Sequence, residues 1–147
     1  MIDEKQAYLK LSALCARSEH CAYEMTEKMR RWQMSEEEQA AVIERLVKER
    51  FIDDERYARA FAADKIKYNK WGQRKVEQAL FMKRIDGKII DAVLDEIDDD
   101  TYLDILRPLI SAKRRSTKAE NDYELRGKLI RFALSRGFTM NLIEKVL

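Results

Sequence analysis

The chain has 147 residues, of which 46% are apolar and 38% charged, with only four glycines and one proline. So few turn residues exclude an all-β sandwich or barrel, and the apolar content excludes wholesale disorder. One histidine and two cysteines exclude a histidine-rich metal site or a four-cysteine zinc site, and the net charge of +2 names no partner by itself.

The opening residues, MIDEKQAYLK, are polar, and no run of 18 apolar residues exists, so neither a signal peptide nor a membrane span is expected. Cys15 and Cys21 read as reduced thiols of a cytoplasmic protein. A first helix carries Tyr8 near its start, and a second carries Met25 and Met29 one turn apart, behind Tyr23-Glu24. Met34 and Ser35 then form a staple-and-cap start, with Glu38 completing a capping box. The third helix shows a double apolar pair, Val42-Ile43 and Leu46-Val47.

The same order returns twice. Asp54 reads as the N-cap of a helix bearing Tyr57, followed by a helix anchored on Val76 and Leu80. Ile85-Asp86 restarts the chain into Ile89-Ile90 and Val93-Leu94. After Asp98, Asp99 and Asp100, read as a solvated linker, Thr101 is the expected cap of a helix with Tyr102. Pro108 predicts a kink or restart near Arg107. Leu125 and Leu129, then Phe138-Thr139, then Leu142-Ile143 and Val146-Leu147 complete the third copy.

The anchor-to-cap spacings are 6, 6 and 10 residues, and the cap-to-doublet spacings 7, 3 and 3. The four-residue excesses are close to one helical turn. They predict a longer third helix in the first copy and a longer second helix in the third. The expected fold is all-α: three tandem three-helix repeats over 1–52, 53–98 and 99–147, forming an elongated, curved array.

Catalytic chemistry is poorly provided for. Gly87-Lys88 and Gly127-Lys128 lack the flanking residues of a phosphate-binding loop, and the three aspartates lack the spacing of a calcium loop. His20 could pair only with Ser18, Cys15 or Cys21, and is read as a turn residue. No enzyme, cofactor or metal is expected.

The charges are strongly segregated. Residues 65–84 carry +6, residues 107–136 carry +6, and residues 86–104 between them carry −7. Lys65, Lys67, Lys70, Arg74, Lys75, Lys83 and Arg84 form one candidate surface for an anionic partner, and Lys113, Arg114, Arg115 and Lys118 a second. Tyr68 and Trp71 lie among the first group, where a ring could stack on a base or pack at a helix corner. Acids at Glu44, Glu49, Asp91, Asp95 and Glu96 disfavour groove reading by the third helices of repeats 1 and 2.

Phe51-Ile52-Asp53-Asp54-Glu55-Arg56-Tyr57-Ala58, with Phe61, Gly72, Arg74, Lys75, Val76 and Leu80, resembles the signature of the RecX family of recombination regulators. Leu14, Ala16-Arg17, Glu19-His20, Glu24-Met25 and Lys28-Met29 resemble its opening motif. Where that family often has glycine, this chain has Gln33, Arg50 and Arg84, and keeps Gly137. If those sites still require a left-handed residue, each side chain there costs on the order of 1 kcal/mol. Within the motif, Asp53, Asp54, Arg56, Tyr57 and Gly72 are read as structural. The resemblance implies a non-enzymatic, monomeric cytoplasmic protein that binds the RecA filament on single-stranded DNA. It further implies inhibition of RecA ATPase and strand exchange, in DNA repair, recombination and the SOS response. Single- or double-stranded DNA is a second expected partner. The competing reading is a general DNA-binding helical repeat with no dedicated RecA partner.

Overall fold

The computed structural model describes residues 1–147 and contains nine α-helices and no strand, with 76% of residues helical. In chain order they are α1 (Glu4–Arg17), α2 (Ala22–Arg31), α3 (Glu36–Lys48), α4 (Asp54–Asn69), α5 (Gln73–Met82), α6 (Gly87–Asp95), α7 (Asp99–Ser116), α8 (Asp122–Ser135) and α9 (Met140–Val146). The insertions lengthen the helices where the spacing places them. The third helix of the first repeat, α3, has 13 residues against nine for α6 and seven for α9. The second helix of the last repeat, α8, has 14 against ten for α2 and α5.

Packing divides the chain into two compact units. The first is Met1–Ala60 with Leu80–Ile90, the second Phe61–Ala79 with Asp91–Leu147, so α4, α5 and α6 contribute to both. In the first unit, α1 and α2 pack on α3. Its core holds Tyr8, Leu11, Met25, Met29, Val42, Leu46 and Ile52. In the second unit, α7 packs on α8 and α9, which also meet each other. Tyr102, Leu106, Ile110, Leu129, Phe138 and Ile143 are buried there. Of the six predicted anchors, Met25, Met29, Val76, Leu80 and Leu129 are fully buried, whereas Leu125 is half-buried.

The chain reverses through repeated cap chemistry. Ser35 and Glu38 form the expected capping box, and Asp86 Oδ1 accepts from the N–H of Lys88. Four helices end in the same way. After α2, the N–H of Met34 donates to Met29 and that of Gln33 to Arg30; the corresponding pairs after α3, α5 and α8 end on Phe51, Ile85 and Phe138. This double bond closes a helix with a left-handed residue followed by an apolar one. The left-handed residues are Gln33 (φ 60°), Arg50 (64°), Arg84 (57°) and Gly137 (96°). Gln33, Arg50 and Arg84 therefore adopt the conformation that favours glycine. Lys70 (φ 59°), after α4, is a further such position that the sequence did not mark.

Several details differ from the sequence reading. Asp53, not Asp54, caps α4: its Oδ1 accepts from the N–H of Arg56 at 3.0 Å. Asp54 instead accepts from the N–H of Ala22 at 2.9 Å and so closes the start of α2. Asp98 is the N-cap of α7 and Thr101 lies inside it. Asp99 and Asp100 form its first turn rather than a linker, because carboxylates there meet the positive end of the helix dipole. α7 runs unbroken through Pro108. Pro108 offers no N–H to the carbonyl of Asp104, and both residues are exposed to solvent. Thr139 stands at the start of α9 without a side-chain bond to it.

Candidate functional site

The octapeptide Phe51–Ala58 is a joint in the first unit. Asp53 starts α4, Asp54 starts α2, and Arg56 reaches back to the end of α3. The Arg56 guanidinium donates to the carbonyls of Arg50 and Phe51 at 3.2 and 3.3 Å and pairs with Glu19. Tyr57 is buried, and burial pushes its hydroxyl well above the usual tyrosine range.

Lys83 and Arg84 belong to the same unit and are already engaged. Lys83 Nζ lies 3.0 Å from Glu24 Oε2, while the Arg84 guanidinium covers the ring of Tyr23 at 5.2 Å. Burial raises the Glu24 carboxyl, but the bonds from Lys83 and from the N–H of Cys21, with the charges of Lys83 and His20, outweigh it and hold the group below its ordinary value. Ser18, His20 and Glu24 fall in line, with Ser18 Oγ 3.2 Å from His20 Nε2 and His20 Nδ1 3.4 Å from Glu24 Oε1. This line lies at the start of α2, whose capping box Glu24 completes. Cys15 and Cys21 are free thiols, and burial raises that of Cys21 to about 11.

The remaining candidates lie in the second unit, in two clusters. At the corner between α4 and α5, Trp71 is half-buried and meets Phe61 edge-on, with ring centroids 6.3 Å apart. Lys65 and Lys75 bring their ammonium groups to 5.4 and 4.9 Å from the Trp71 ring. Trp71 thus packs at the corner, as one of its two readings has it, and also gathers cations. Tyr68 is exposed with Lys67 at 5.2 Å from its ring, Lys70 Nζ donates to the Lys67 carbonyl, and Arg74 is exposed.

The second cluster lines an open groove of about 550 Å³ between the end of α7 and the face of α8. Lys113 and Lys118 contribute from one side, Lys128 and Arg131 from the other, around Phe132. No carboxylate is among the lining residues, and Ser116 and Thr117 supply hydroxyls. Lys113 Nζ and the Arg136 guanidinium stand 5.0 and 5.2 Å from the Phe132 ring. Lys128 Nζ bridges the Lys118 carbonyl at 2.8 Å and Glu124 at 3.0 Å. Arg114 and Arg115 are exposed in the last turn of α7 and outside the groove lining. Lys128, Arg131 and Arg136 were counted in the second +6 stretch but not singled out. The spacing of 128, 131 and 132 on one helix face was the available signal.

What connects the two clusters is a pair of glycines. The N–H of Gly72 donates to the Arg136 carbonyl at 2.8 Å, and that of Arg74 to the Gly137 carbonyl at 2.9 Å. A Cβ on Gly72 would lie 2.4 Å from the Gly137 carbonyl carbon and from the nitrogen of Phe138. A Cβ on Gly137 would lie 2.5 Å from that of Lys75. Backbone meets backbone here, so the Trp71 corner sits directly against the turn that carries Arg136, and Arg136 covers Phe132. The Gly72–Gly137 contact therefore brings together the two segments that carry these clusters, each a group of cations around an aromatic ring. Such groups attract phosphates through their cations and offer rings for stacking.

Comparison with known proteins agrees with the fold. The family model "RecX, second three-helix domain" matches residues 53–94 and "RecX, third three-helix domain" matches 100–147. The chain is 31% identical to "Regulatory protein RecX" of Acinetobacter baylyi over 92% of its own length and 82% of that protein. It is 30% identical to the protein of the same description from Chlorobium phaeobacteroides, over 99% of this chain and 93% of the other. It spans about half the length of several other relatives. The crystal structure of RecX from Lactobacillus salivarius superposes with a TM-score of 0.86, covering 98% of this chain and 94% of that one at 20% identity. With relatives matched along nearly their whole length, and with the second and third family domains in order, the chain belongs to the RecX family.

Proposed function

We propose that this protein regulates the RecA recombinase by binding its filament on single-stranded DNA, and that it inhibits ATPase and strand exchange there. The groove around Phe132 carries this reading: four cations and no carboxylate line it, as a phosphodiester backbone or an acidic protein surface requires. The Trp71 corner, tied through Gly72 to the turn that carries Arg136, supplies further cations beside an aromatic ring. Membership of a family whose relatives are named regulatory proteins supports a binding role over a catalytic one. No helix is long and apolar enough to cross a membrane.

The test is RecA ATPase on single-stranded DNA, titrated with the protein at substoichiometric ratios. Inhibition is expected, and it is expected to be lost when Lys113, Lys128 and Arg131 are changed to Glu, or when Lys67, Lys70, Arg74 and Lys75 are. Unchanged inhibition by both folded variants refutes the surface, and no inhibition by the wild type refutes the reading. The groove also fits a second reading, a general DNA-binding protein, because its chemistry suits bare phosphates equally. Binding to free single-stranded DNA as tightly as to the filament, with a steep salt dependence, distinguishes that case.

A further inference from the structure

The four cations of the Phe132 groove are not equivalent. Lys113, Lys118 and Arg131 have no acid paired with them, whereas Lys128 does. Lys128 Nζ lies 3.0 Å from Glu124 Oε1 and donates to the Lys118 carbonyl at 2.8 Å. An ammonium group has three N–H donors, so two of those on Lys128 are committed and one remains for a ligand.

Glu124 lies outside the groove lining, yet its carboxylate is fixed against it. Its Oε2 accepts from the N–H of Glu120 at 3.3 Å, and its own N–H donates to the N-cap Asn121 at 2.8 Å. The bond from Lys128, then that from Glu120, with the charges of Lys128 and Arg131, holds the carboxyl below its ordinary value. One acid thus leans on two of the four groove cations. The Lys128 and Glu124 side chains are 39% and 38% exposed, so water and a ligand both reach the pair. An ion pair this open is weak and readily exchanged.

We propose that Glu124 is a built-in competitor of the groove: its carboxylate takes the place on Lys128 that a strand phosphate takes, and binding exchanges one anion for the other. The inference rests on the groove being the anion-binding surface proposed above. Glu124 then sets how tightly the groove holds a strand, because each phosphate that reaches Lys128 must first displace it. The charge it withholds is one of the four that line the groove.

The probe is a short fluorescent oligothymidylate, titrated with the full chain over a series of salt concentrations and followed by anisotropy. Glu124→Gln should bind it about 2- to 5-fold more tightly than the wild type, the range of an exposed ion pair. The dependence of log affinity on log salt should steepen by about 0.7, as one more phosphate is neutralised. Lys128→Met should bind more weakly with a shallower salt dependence, and adding Glu124→Gln to it should change nothing further. Glu124→Gln should also melt slightly below the wild type, because a carboxylate in the first turn of α8 favours that helix; tighter binding by a less stable protein is not the result of firmer folding. Wild-type affinity in Glu124→Gln overturns the proposal. An equal gain with and without Lys128 also overturns it and assigns the effect to general repulsion. Absence of binding by wild type and variant alike overturns the groove reading and this inference together, whereas a Glu124 effect in a protein that leaves RecA ATPase uninhibited overturns the RecA reading alone.

Discussion

Replacing Gly72 by alanine tests the joint between the two basic clusters. The new methyl group would sit 2.4 Å from two backbone atoms and 2.6 Å from the Gly137 oxygen, against ordinary contacts of 3.4–4 Å. Neither neighbour is a flexible side chain, so the two segments must separate by about 1 Å or more. The Gly72 to Arg136 and Arg74 to Gly137 hydrogen bonds, at 2.8 and 2.9 Å, would then stretch beyond bonding range. Two lost bonds contribute about 1–3 kcal/mol and the overpacking about 1–3 more. We therefore expect Gly72→Ala to destabilise by about 3–5 kcal/mol, or to lower the melting temperature by roughly 10 °C, as followed by circular dichroism. Gly87→Ala is the control: nothing lies within 4 Å of its added Cβ, and stability should change by about 0.5 kcal/mol or less. A Gly72→Ala protein that melts with the wild type would refute the backbone-contact argument.

Other expectations follow from the caps and ion pairs. Gln33→Gly should stabilise by about 0.5–1 kcal/mol, because Gln33 is exposed and left-handed; a lower melting temperature contradicts it. Asp54→Ala should cost about 1 kcal/mol and accelerate hydrogen exchange at Ala22, whereas Asp53→Ala should accelerate it at Arg56. The opposite assignment of the two amides would show the caps to be misread. The Glu24 carboxyl is held below its ordinary value near 4.5, so its contribution to stability is full above that value and fades as pH falls through and below it. Lys83→Met should therefore melt below the wild type at neutral pH, and the gap should close in acid. A gap that is independent of pH would exclude the ion pair as its source.

Much of the fold was legible because each helix boundary is a local event. Ser35, Asp86 and the apolar residues beside them announce helix starts without reference to the rest of the chain. The four-residue insertions foretold which helices grow. The left-handed sites after α2, α3 and α5 were legible only as gaps in a family pattern, since Gln33, Arg50 and Arg84 disguise them. Reading failed where the partner is distant or the signal lies one residue away. Asp54 looks like a cap for its own helix, but the N–H that it serves belongs to Ala22, 32 positions earlier. Gly72 could be marked by resemblance, yet its reason is a turn 65 residues later. Lys83 and Arg84 were counted with the Trp71 cluster because they share its charge run; the chain folds them into the other unit. Lys128 and Arg131 gained their significance only when α8 met the end of α7.

The octapeptide joint has a consequence for how the molecule can be dissected. Within four residues, Asp53, Asp54 and Arg56 close the start of α4, the start of α2 and the end of α3. A chain severed between Ile52 and Asp53 strands the Ala22 amide and the Arg50 and Phe51 carbonyls together. The sequence repeat is thus a unit of spacing rather than of autonomous folding. Melting of α2, α3 and the first turns of α4 should form a single cooperative event, and no protease-resistant fragment should end at residue 52.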